Sequence, residues 1–277
     1  MRAFKAYMRS PSAVIGTAIV LAVFVMGIGA STFYPDDPLG LAGRPLQWPG
    51  VNPRFPLGTD PSGRDIAAQI FHGARVSLLI GFVATSIAVA IGIAIGAVAG
   101  FYGGGTDTTL MRVTEAFQTV PNFILLLVLV AVFGSTIETV TIAIGLVSWP
   151  SVARLTRAEF LSLRTRDFVQ ACRVQGLSDL HLIVREVLPN ALPPVIVYAS
   201  VVMAVAILLE SALAFLQLSD PNVPSWGNLI GLGRNVLRSE WYVSAIPGVA
   251  ILLTILGVSL VGQGLNDALN PRLASGR

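Results

Sequence analysis

The sequence is poor in three residue types that many site chemistries require. Among its 277 residues, Cys172 is the sole cysteine, Lys5 is the sole lysine, and the two histidines are His72 and His181. One cysteine excludes a disulfide within the chain and a cysteine-based metal site. The histidines lie more than a hundred residues apart, so no HExxH zinc motif exists.

The scarcity of lysine also excludes a P-loop in this chain. A Walker A loop places a lysine directly after a glycine-rich run, where it reaches the nucleotide phosphates, and Lys5 has no such neighbours. A serine hydrolase would need a serine and a histidine together, but both histidines fall outside the apolar stretches described below. We therefore predict that the chain is not an enzyme and that it binds no metal or cofactor of its own.

Charge is the next scarce property, since charged residues make up 12% of the chain and hydrophobic residues 54%. The charged share is about half that of a typical soluble domain. A bilayer core about 30 Å thick needs roughly 20 apolar residues per helix. Six stretches reach or approach that length: 12–33, 76–101, 110–133, 137–153, 193–217 and 244–265.

These stretches are continuously apolar rather than alternating, which excludes a β-barrel. The sequence thus predicts an all-α, polytopic membrane protein with about six transmembrane helices in one bundle. We divide it into residues 1–75, an N-terminal span with an outer-face loop, and residues 76–277, the core transmembrane bundle. The first apolar run is longer than a signal-peptide core, so we predict an uncleaved span.

The basic residues are distributed unequally between the predicted loops. Twelve of the 18 lysines and arginines fall on the side of the N-terminus, and six fall on the other side. By the positive-inside rule, both termini and the loop 154–192 are predicted to be cytoplasmic. A basic patch of this kind indicates membrane topology, and no nucleic-acid partner is predicted.

Residues 34–75 form a loop rich in proline and glycine on the predicted outer face. Asp60 followed by Pro61 has the pattern of a helix start. It would open a short helix carrying Ile66, Ile70 and Phe71 towards the second span, and such a helix could lie at the membrane interface. An ordinary surface linker is the alternative.

In the second span, small residues recur every four positions and so line one helix face. They are Ala84, Ala88, Gly92, Gly96 and Gly100. Such a face allows another helix to approach closely. We predict that it packs within the bundle or against a partner subunit, and a substrate groove is the alternative.

Two residues interrupt the apolar pattern of the later spans. Pro121 lies within the stretch 110–133, so that helix is predicted to kink or break there. Glu210 lies late in the fifth span, where an ionised carboxylate is costly, so it is predicted to face a partner group or water. Structural pairing and a role in lining or gating a path both remain open for Glu210.

The loop 154–192 is the most polar part of the interior of the chain, and it has a helix-break-helix pattern. Good helix formers run from residue 167 to Gly176, which occupies the position of a left-handed C-terminal cap. Ser178 can cap a second helix, which is predicted to stop before Pro189. We name residues 167–188 the elbow and predict that it is a docking surface for a cytoplasmic partner.

At this point the sequence resembles a known family. The run "QACRVQGLSDLHLIVREVLPN" is similar to the EAA motif of binding-protein-dependent ABC importer permeases, with the pattern falling on Gln170, Ala171, Cys172, Gly176, Leu188 and Pro189. The runs "PLGTDPSGRD", "MRVTEAFQTVP", "VPSWGNLI" and "GLNDALNPR" are similar to the second, C-type permease subunit of dipeptide, oligopeptide and nickel importers. The resemblance covers nearly the whole chain.

The resemblance implies a type I ABC importer fold, in which the elbow is the coupling helix on a cytoplasmic ATPase. The implied ATPase contacts are Gln170, Ala171, Cys172, Arg173, Gly176, Leu177, Ser178, Asp179, Leu188 and Pro189. The implied partners are a second permease subunit, two cytoplasmic subunits that bind ATP and Mg²⁺, and an extracytoplasmic solute-binding protein. The implied location is the bacterial inner membrane, and the implied cargo is a peptide or a related small solute.

The sequence departs from the family pattern at five positions. Gln170 replaces an acidic residue, Cys172 replaces alanine, and Glu186 stands where the motif is apolar, while Gln217 and Ser219 occupy positions that are commonly glycine. An ion-coupled secondary transporter or channel subunit is the alternative function. Such proteins carry charged groups near the membrane midplane, and only Glu210 qualifies here.

Overall fold

A computed structural model describes residues 7–269. This part of the chain is almost entirely helical, and its only strand-like pairing is one bridge between Thr59 and Asp65. The helices are α1 (Pro11–Phe33), α2 (Ile66–Tyr102), α3 (Gly104–Thr119), α4 (Asn122–Phe133), α5 (Ile137–Leu163), α6 (Asp167–Val174), α7 (Asp179–His181), α8 (Leu188–Phe215), α9 (Trp226–Gly233) and α10 (Tyr242–Leu269). A π-helical turn, Leu182–Val187, joins α7 to α8.

Within residues 7–269, five helical stretches are long and apolar enough to cross a membrane, and the count is six if the bent pair of α3 and α4 is one broken span. These two helices meet at an angle of 80°, on either side of Val120 and Pro121. The predicted break at Pro121 is confirmed, because proline cannot donate the backbone hydrogen bond that would continue α3. The predicted all-α membrane fold is likewise confirmed.

The bundle is built around α2 and α5. In α5, 67% of the most apolar 18-residue stretch is buried inside the protein, whereas the share is 28–33% for the corresponding stretch in each of the other long helices. The 37 residues of α2 extend about 55 Å at 1.5 Å per residue, which is longer than a bilayer core. Both helices therefore reach the side of the bundle that carries the elbow, called the elbow side below, and the opposite, loop side.

The predicted helix start at Asp60 and Pro61 is wrong. Asp60 instead accepts hydrogen bonds from the backbone N–H groups of Ser62, at 2.8 Å, and Arg64, at 2.9 Å. Gly63 then takes a positive φ of 84°, which ends any helical run. The helix begins later, at Ile66, and its N-cap is Asp65, whose Oδ1 accepts from the Ala67 N–H at 2.8 Å.

No separate interfacial helix forms here, because α2 is continuous from Ile66 to Tyr102. Ile66 and Ile70 are buried in the bundle core and do not lie at an interface. The division that we drew between residues 75 and 76 therefore falls within α2.

Burial raises the pKa of the Asp65 carboxyl at the start of α2, and the backbone N–H groups of Ala67 and Ala68 oppose this rise.

The loop that follows α1 is folded against the start of α10. The Tyr242 hydroxyl lies 2.9 Å from the carbonyl oxygen of Gln47 and 3.2 Å from that of Thr59. The Trp48 ring packs edge-to-face with Trp241 and at a tilt against Tyr242, with centroid separations of 6.3 and 5.1 Å. The loop is thus a compact cap on the loop side and not an extended linker.

The predicted stop of the second elbow helix before Pro189 is also wrong. The helical chain runs from Asp179 through Pro189 to Phe215. In the π turn before Pro189, the Leu188 N–H donates to the carbonyl of Ile183, five residues earlier. The wider turn changes the backbone pairing where an α-helix would conflict with the proline ring, so the helix continues.

Candidate functional site

The first arm of the elbow, α6, ends at Gly176 in a Schellman motif. Gly176 has a φ of 82°. Its N–H donates to the Arg173 carbonyl at 3.0 Å, and the Leu177 N–H donates to the Cys172 carbonyl at 3.3 Å. Cys172 and Leu177 also contact the same apolar cluster, which is the hydrophobic contact that accompanies this motif. The turn between the arms is therefore set by Gly176.

The second arm begins at Ser178, whose Oγ accepts from the His181 N–H at 3.4 Å. Both arms are anchored by fully buried apolar side chains, Val169 from α6 and Leu182 and Val187 from the π turn. These side chains pack with Phe101 of α2 and Phe160 of α5. The elbow is therefore packed directly on the two central helices.

Three arginines connect neighbouring helices at the elbow side. Arg164, just after α5, donates from Nη1 to the Phe101 carbonyl at 3.0 Å, and Arg173 lies over the Phe101 ring at 5.6 Å. Arg157 of α5 pairs with Asp107 of α3, and its Nη2 lies 2.6 Å from Asp107 Oδ2. Two N–H groups of Arg157 reach the two carboxylate oxygens, which is the bidentate geometry of a strong pair.

The tip of the elbow exposes apolar side chains that our sequence reasoning missed. Val174 is 89% exposed and Leu180 is 70% exposed, and they flank Gly176 on either side of the turn. A Cβ atom added at Gly176 would meet no atom of this chain within 4 Å. These two residues could have been found from the sequence, because apolar residues in a polar, charged loop are a signal for contact with a partner.

The other predicted contact residues surround this tip or lie near it. Gln170 is exposed, and its Nε2 donates to the Arg164 carbonyl at 3.0 Å. Ala171 and Asp179 are exposed on the two arms. Leu188 and Pro189 lie at the other end of the second arm, where α8 begins, so the structure separates them from the tip.

The predicted small-residue face lies against α5 of the same chain. Ala84 and Ala88 are buried. A Cβ atom at Gly92 would lie 2.5 Å from Val152 Cβ, and one at Gly100 would lie 2.6 Å from Phe160 Cβ. Gly96 is equally close to Ala153 and Thr156. The two central helices can approach to this distance only because no side chain stands between them.

Glu210 is fully buried near the loop-side end of α8, with 1% of its surface exposed. It faces the segment 216–233, which leaves α8, turns and brings the short helix α9 back into the bundle, and which we name the return segment. At its start Gln217 has a positive φ of 61°. Further along, Trp226 is fully buried, and its Nε1–H donates to the Ile70 carbonyl at 2.9 Å.

Among residues 7–269, no group of three histidine, cysteine or acidic side chains could hold a metal ion. The elbow presents an exposed apolar tip on arms that pack directly against α2 and α5. A family described as "Binding-protein-dependent transport system inner membrane component" matches residues 92–275.

Curated relatives match nearly the whole chain. A dipeptide transport system permease protein DppC of Haemophilus influenzae is 35% identical, and the match covers 96% of this chain and 92% of the relative. A di/tripeptide transport system permease protein DppC of Pseudomonas aeruginosa is 36% identical, and the match covers 98% of this chain and 91% of the relative. The DppC protein of Escherichia coli K12 is 37% identical, over 96% and 91%.

A solved structure shares the fold. An inward-facing conformation of the MetNI methionine ABC transporter superposes with a TM-score of 0.62 at 17% identity. The match covers 73% of this chain and 96% of that chain. The likeness shows the type I ABC importer permease fold for the bundle described above.

Proposed function

Because this chain belongs to the family of binding-protein-dependent transport system inner membrane components, we propose that it imports peptides as one of two permease subunits driven by separate ATPases. It is a permease subunit with a multi-pass membrane fold. The second permease, the two ATPases and a solute-binding protein are the partners that this proposal requires. ATP and Mg²⁺ would be bound by the ATPases, not by this chain.

The single observation that carries the proposal is the exposed apolar tip of the elbow. Val174 and Leu180 are large side chains left in water beside a glycine with open space around it. Burying such side chains in a groove of a partner is favourable by about 25 cal/mol per Å² of apolar surface. Since the arms pack on Phe101 and Phe160, a partner that moves the tip also moves α2 and α5.

The proposed cycle is alternating access by population shift. Nucleotide closes the two ATPases, the elbow follows them, and the bundle changes from inward-facing to outward-facing. This requires ATP to bind the closed state more tightly than the open state. The elbow side, with both termini, is then cytoplasmic, as the distribution of basic residues indicates, and the binding protein delivers its cargo to the loop side.

Peptides are the proposed cargo, because the curated relatives carry dipeptide and di/tripeptide names. Binding of dipeptides and tripeptides to the solute-binding protein that this proposal requires, measured by calorimetry, would test this choice. Tight binding of a metal chelate and not of any peptide would contradict it.

The central experiment is reconstitution. We expect the chain to copurify with a second permease and two ATPases, and the complex in proteoliposomes to take up dipeptide only with the binding protein and ATP. Replacing the Walker A lysine of the ATPases should abolish uptake while the complex still assembles. An inactive ATPase complex is the matched control, because every membrane contact remains in place.

Two results would contradict the proposal. Uptake by the purified chain alone, without nucleotide hydrolysis, would identify a secondary transporter or channel. Uptake that follows an imposed proton or sodium gradient and ignores ATP would do the same. The relatives do not favour this alternative.

A further inference from the structure

The buried carboxyl of Glu210 is not explained by the coupling of the elbow to an ATPase. It lies five residues before the end of α8 at Phe215, about one and a half helical turns from the loop side. An ionised carboxylate at such a depth needs a cation or several strong donors. Among residues 7–269, no basic side chain forms an ion pair with it.

The hydroxyl groups around Glu210 show which form of the carboxyl they can satisfy. Ser211 Oγ lies 2.8 Å from the Ile207 carbonyl and 3.4 Å from Glu210 Oε2. A serine hydroxyl has one hydrogen, and the shorter contact places it on Ile207. The Ser211 hydroxyl can donate to a Glu210 carboxylate only through the longer contact of 3.4 Å, whereas with its hydrogen on Ile207 it can accept from a protonated Glu210.

Ser225, in the return segment, supplies a second hydroxyl group near the Glu210 carboxyl. It is the N-cap of α9, and its Oγ accepts from the Asn228 N–H at 3.2 Å. Its own hydrogen remains free to donate, and Ser225 lines the same cavity as the Glu210 carboxyl. A Cβ atom added at Gly227, in the first turn of α9, would lie 3.3 Å from Glu210 Oε2. A neutral carboxylic acid in this position can donate to Ser211 and accept from Ser225, so it needs no cation beside it.

A small cavity lies beside these groups, with a volume of about 10 Å³, close to the room needed by one water molecule. The other titratable group in its lining is Asp220, whose Oδ1 accepts from the Asn222 N–H at 2.9 Å. The lining side chains from α2 and α5 are the apolar Val76, Ile80, Ile137 and Val140. No element around the cavity therefore presents a positive charge to Glu210.

We propose that Glu210, as a neutral carboxylic acid, is the positioning residue that fixes the return segment to α8 through Ser225 of the α9 cap. α9 carries the buried Trp226, which is bonded to Ile70 of α2, so the bond also sets how α8 and α2 meet at the loop side. This deepens the proposed function and rests on it, because the loop side is where the permease would open towards the binding protein.

The test uses the assembled complex in nanodiscs and two independent readouts. Amide hydrogen exchange is measured for residues 226–233, and ATP-driven dipeptide uptake is measured in proteoliposomes. Glu210→Leu keeps the approximate volume but removes both hydrogen bonds, and we expect exchange in α9 to become about tenfold faster, with a similar loss of uptake. Glu210→Gln can donate to Ser211 and accept from Ser225, so we expect it to retain the wild-type exchange rate and most of the uptake.

A double-mutant cycle separates this bond from the cap that Ser225 provides to α9. Ser225→Ala loses both the cap and the Glu210 bond in the wild-type background, but only the cap in the Glu210→Leu background. We expect a smaller increase in exchange in the second case, which is the sign of a direct interaction. If Glu210→Leu does not assemble, the same cycle is run with Glu210→Ala, which also removes the carboxyl group.

Three results would overturn the inference. Exchange of residues 226–233 that is unchanged in Glu210→Leu would show that the bond does not hold α9. Additive effects in the cycle would show that Ser225 acts only as a cap. Failure of Glu210→Gln in both readouts would show that an ionised carboxylate is required. Absence of ATP-driven uptake in the wild-type complex would instead count against the proposed function, and the exchange results would still stand.

Discussion

The elbow and the return segment are similar in outline but opposite in construction. Each is a helical excursion that turns at a residue with positive φ, Gly176 in the elbow and Gln217 in the return segment. The tip of the elbow has open space around its glycine. The return segment instead buries Trp226 completely and presses Gly227 against α8.

The difference shows which region is complete within this chain. The return segment packs on α2, α8 and α10. It hydrogen-bonds within itself through Asn228, donates to Ile70 of α2 and accepts from Ser244 of α10. The elbow leaves Val174 and Leu180 in water, and large exposed apolar groups beside each other are typical of a contact surface. A substitution in the return segment should therefore act on stability, whereas one at the elbow tip should act on coupling to a partner.

The largest expected effect comes from Gly227→Leu. A Cβ atom there would lie 2.7 Å from both Ala214 Cβ and Ser211 Cα, and overpacking of a close contact costs about 3 kcal/mol or more. We expect a lower melting temperature of the permease and poor assembly, measured by fluorescence-detected size exclusion. Gly105→Leu, at a helical glycine with no atom within 4 Å, is the control and should melt like the wild type.

The corresponding change at the elbow, Gly176→Leu, should impair transport and leave membrane insertion and assembly of the bundle intact. Leucine at a φ of 82° costs about 1–2 kcal/mol locally, and its side chain would stand between the tip and the ATPase. We expect uptake to fall about 100-fold, equivalent to about 2.8 kcal/mol, with membrane insertion intact.

Gly176→Asn separates the two causes, because asparagine tolerates the left-handed conformation but still adds bulk. Loss of uptake in both variants would assign the effect to docking. Uptake restored by asparagine would assign it to the backbone alone. Wild-type uptake in Gly176→Leu would contradict any role of the tip.

A smaller effect is expected from the double change Val174→Ser and Leu180→Ser. Both side chains are exposed in the isolated chain, so its stability should stay within about 0.5 kcal/mol. If a partner buries them, the affinity for the ATPase should fall about tenfold or more, measured by titration in nanodiscs. Val51→Ser, at a residue that is 72% exposed on the loop side, is the control, and an equal loss there would contradict the assignment.

The smallest effect should be a gain in stability from Gln217→Gly. Gln217 has a φ of 61°, which costs a side-chain-bearing residue about 1–2 kcal/mol and costs glycine little. We expect the melting temperature to rise by a few degrees. Gln175→Gly is the matched control, because Gln175 has a φ of −73°, and glycine there should lower stability by about 0.5–1 kcal/mol.

Local patterns in the sequence fixed the class of fold and several of its turns. Apolar runs of spanning length, the break at Pro121, the cap at Gly176 and the N-cap at Ser178 depend on hydropathy and on backbone preferences of a few neighbouring residues. These features depend only on residues that are close together in the sequence, and the structure confirms each of them. The family resemblance added the class of function, because its motifs recur in order along the chain.

Only the tertiary structure decided how those pieces continue and meet. The helix start moved from Asp60 to Asp65 because Gly63 turns the chain, and the helix passes Pro189 because a π turn precedes it. The partner of the small-residue face and the bond from Trp226 to Ile70 both depend on residues distant in sequence. Contacts of that kind are set by packing, which no local pattern contains.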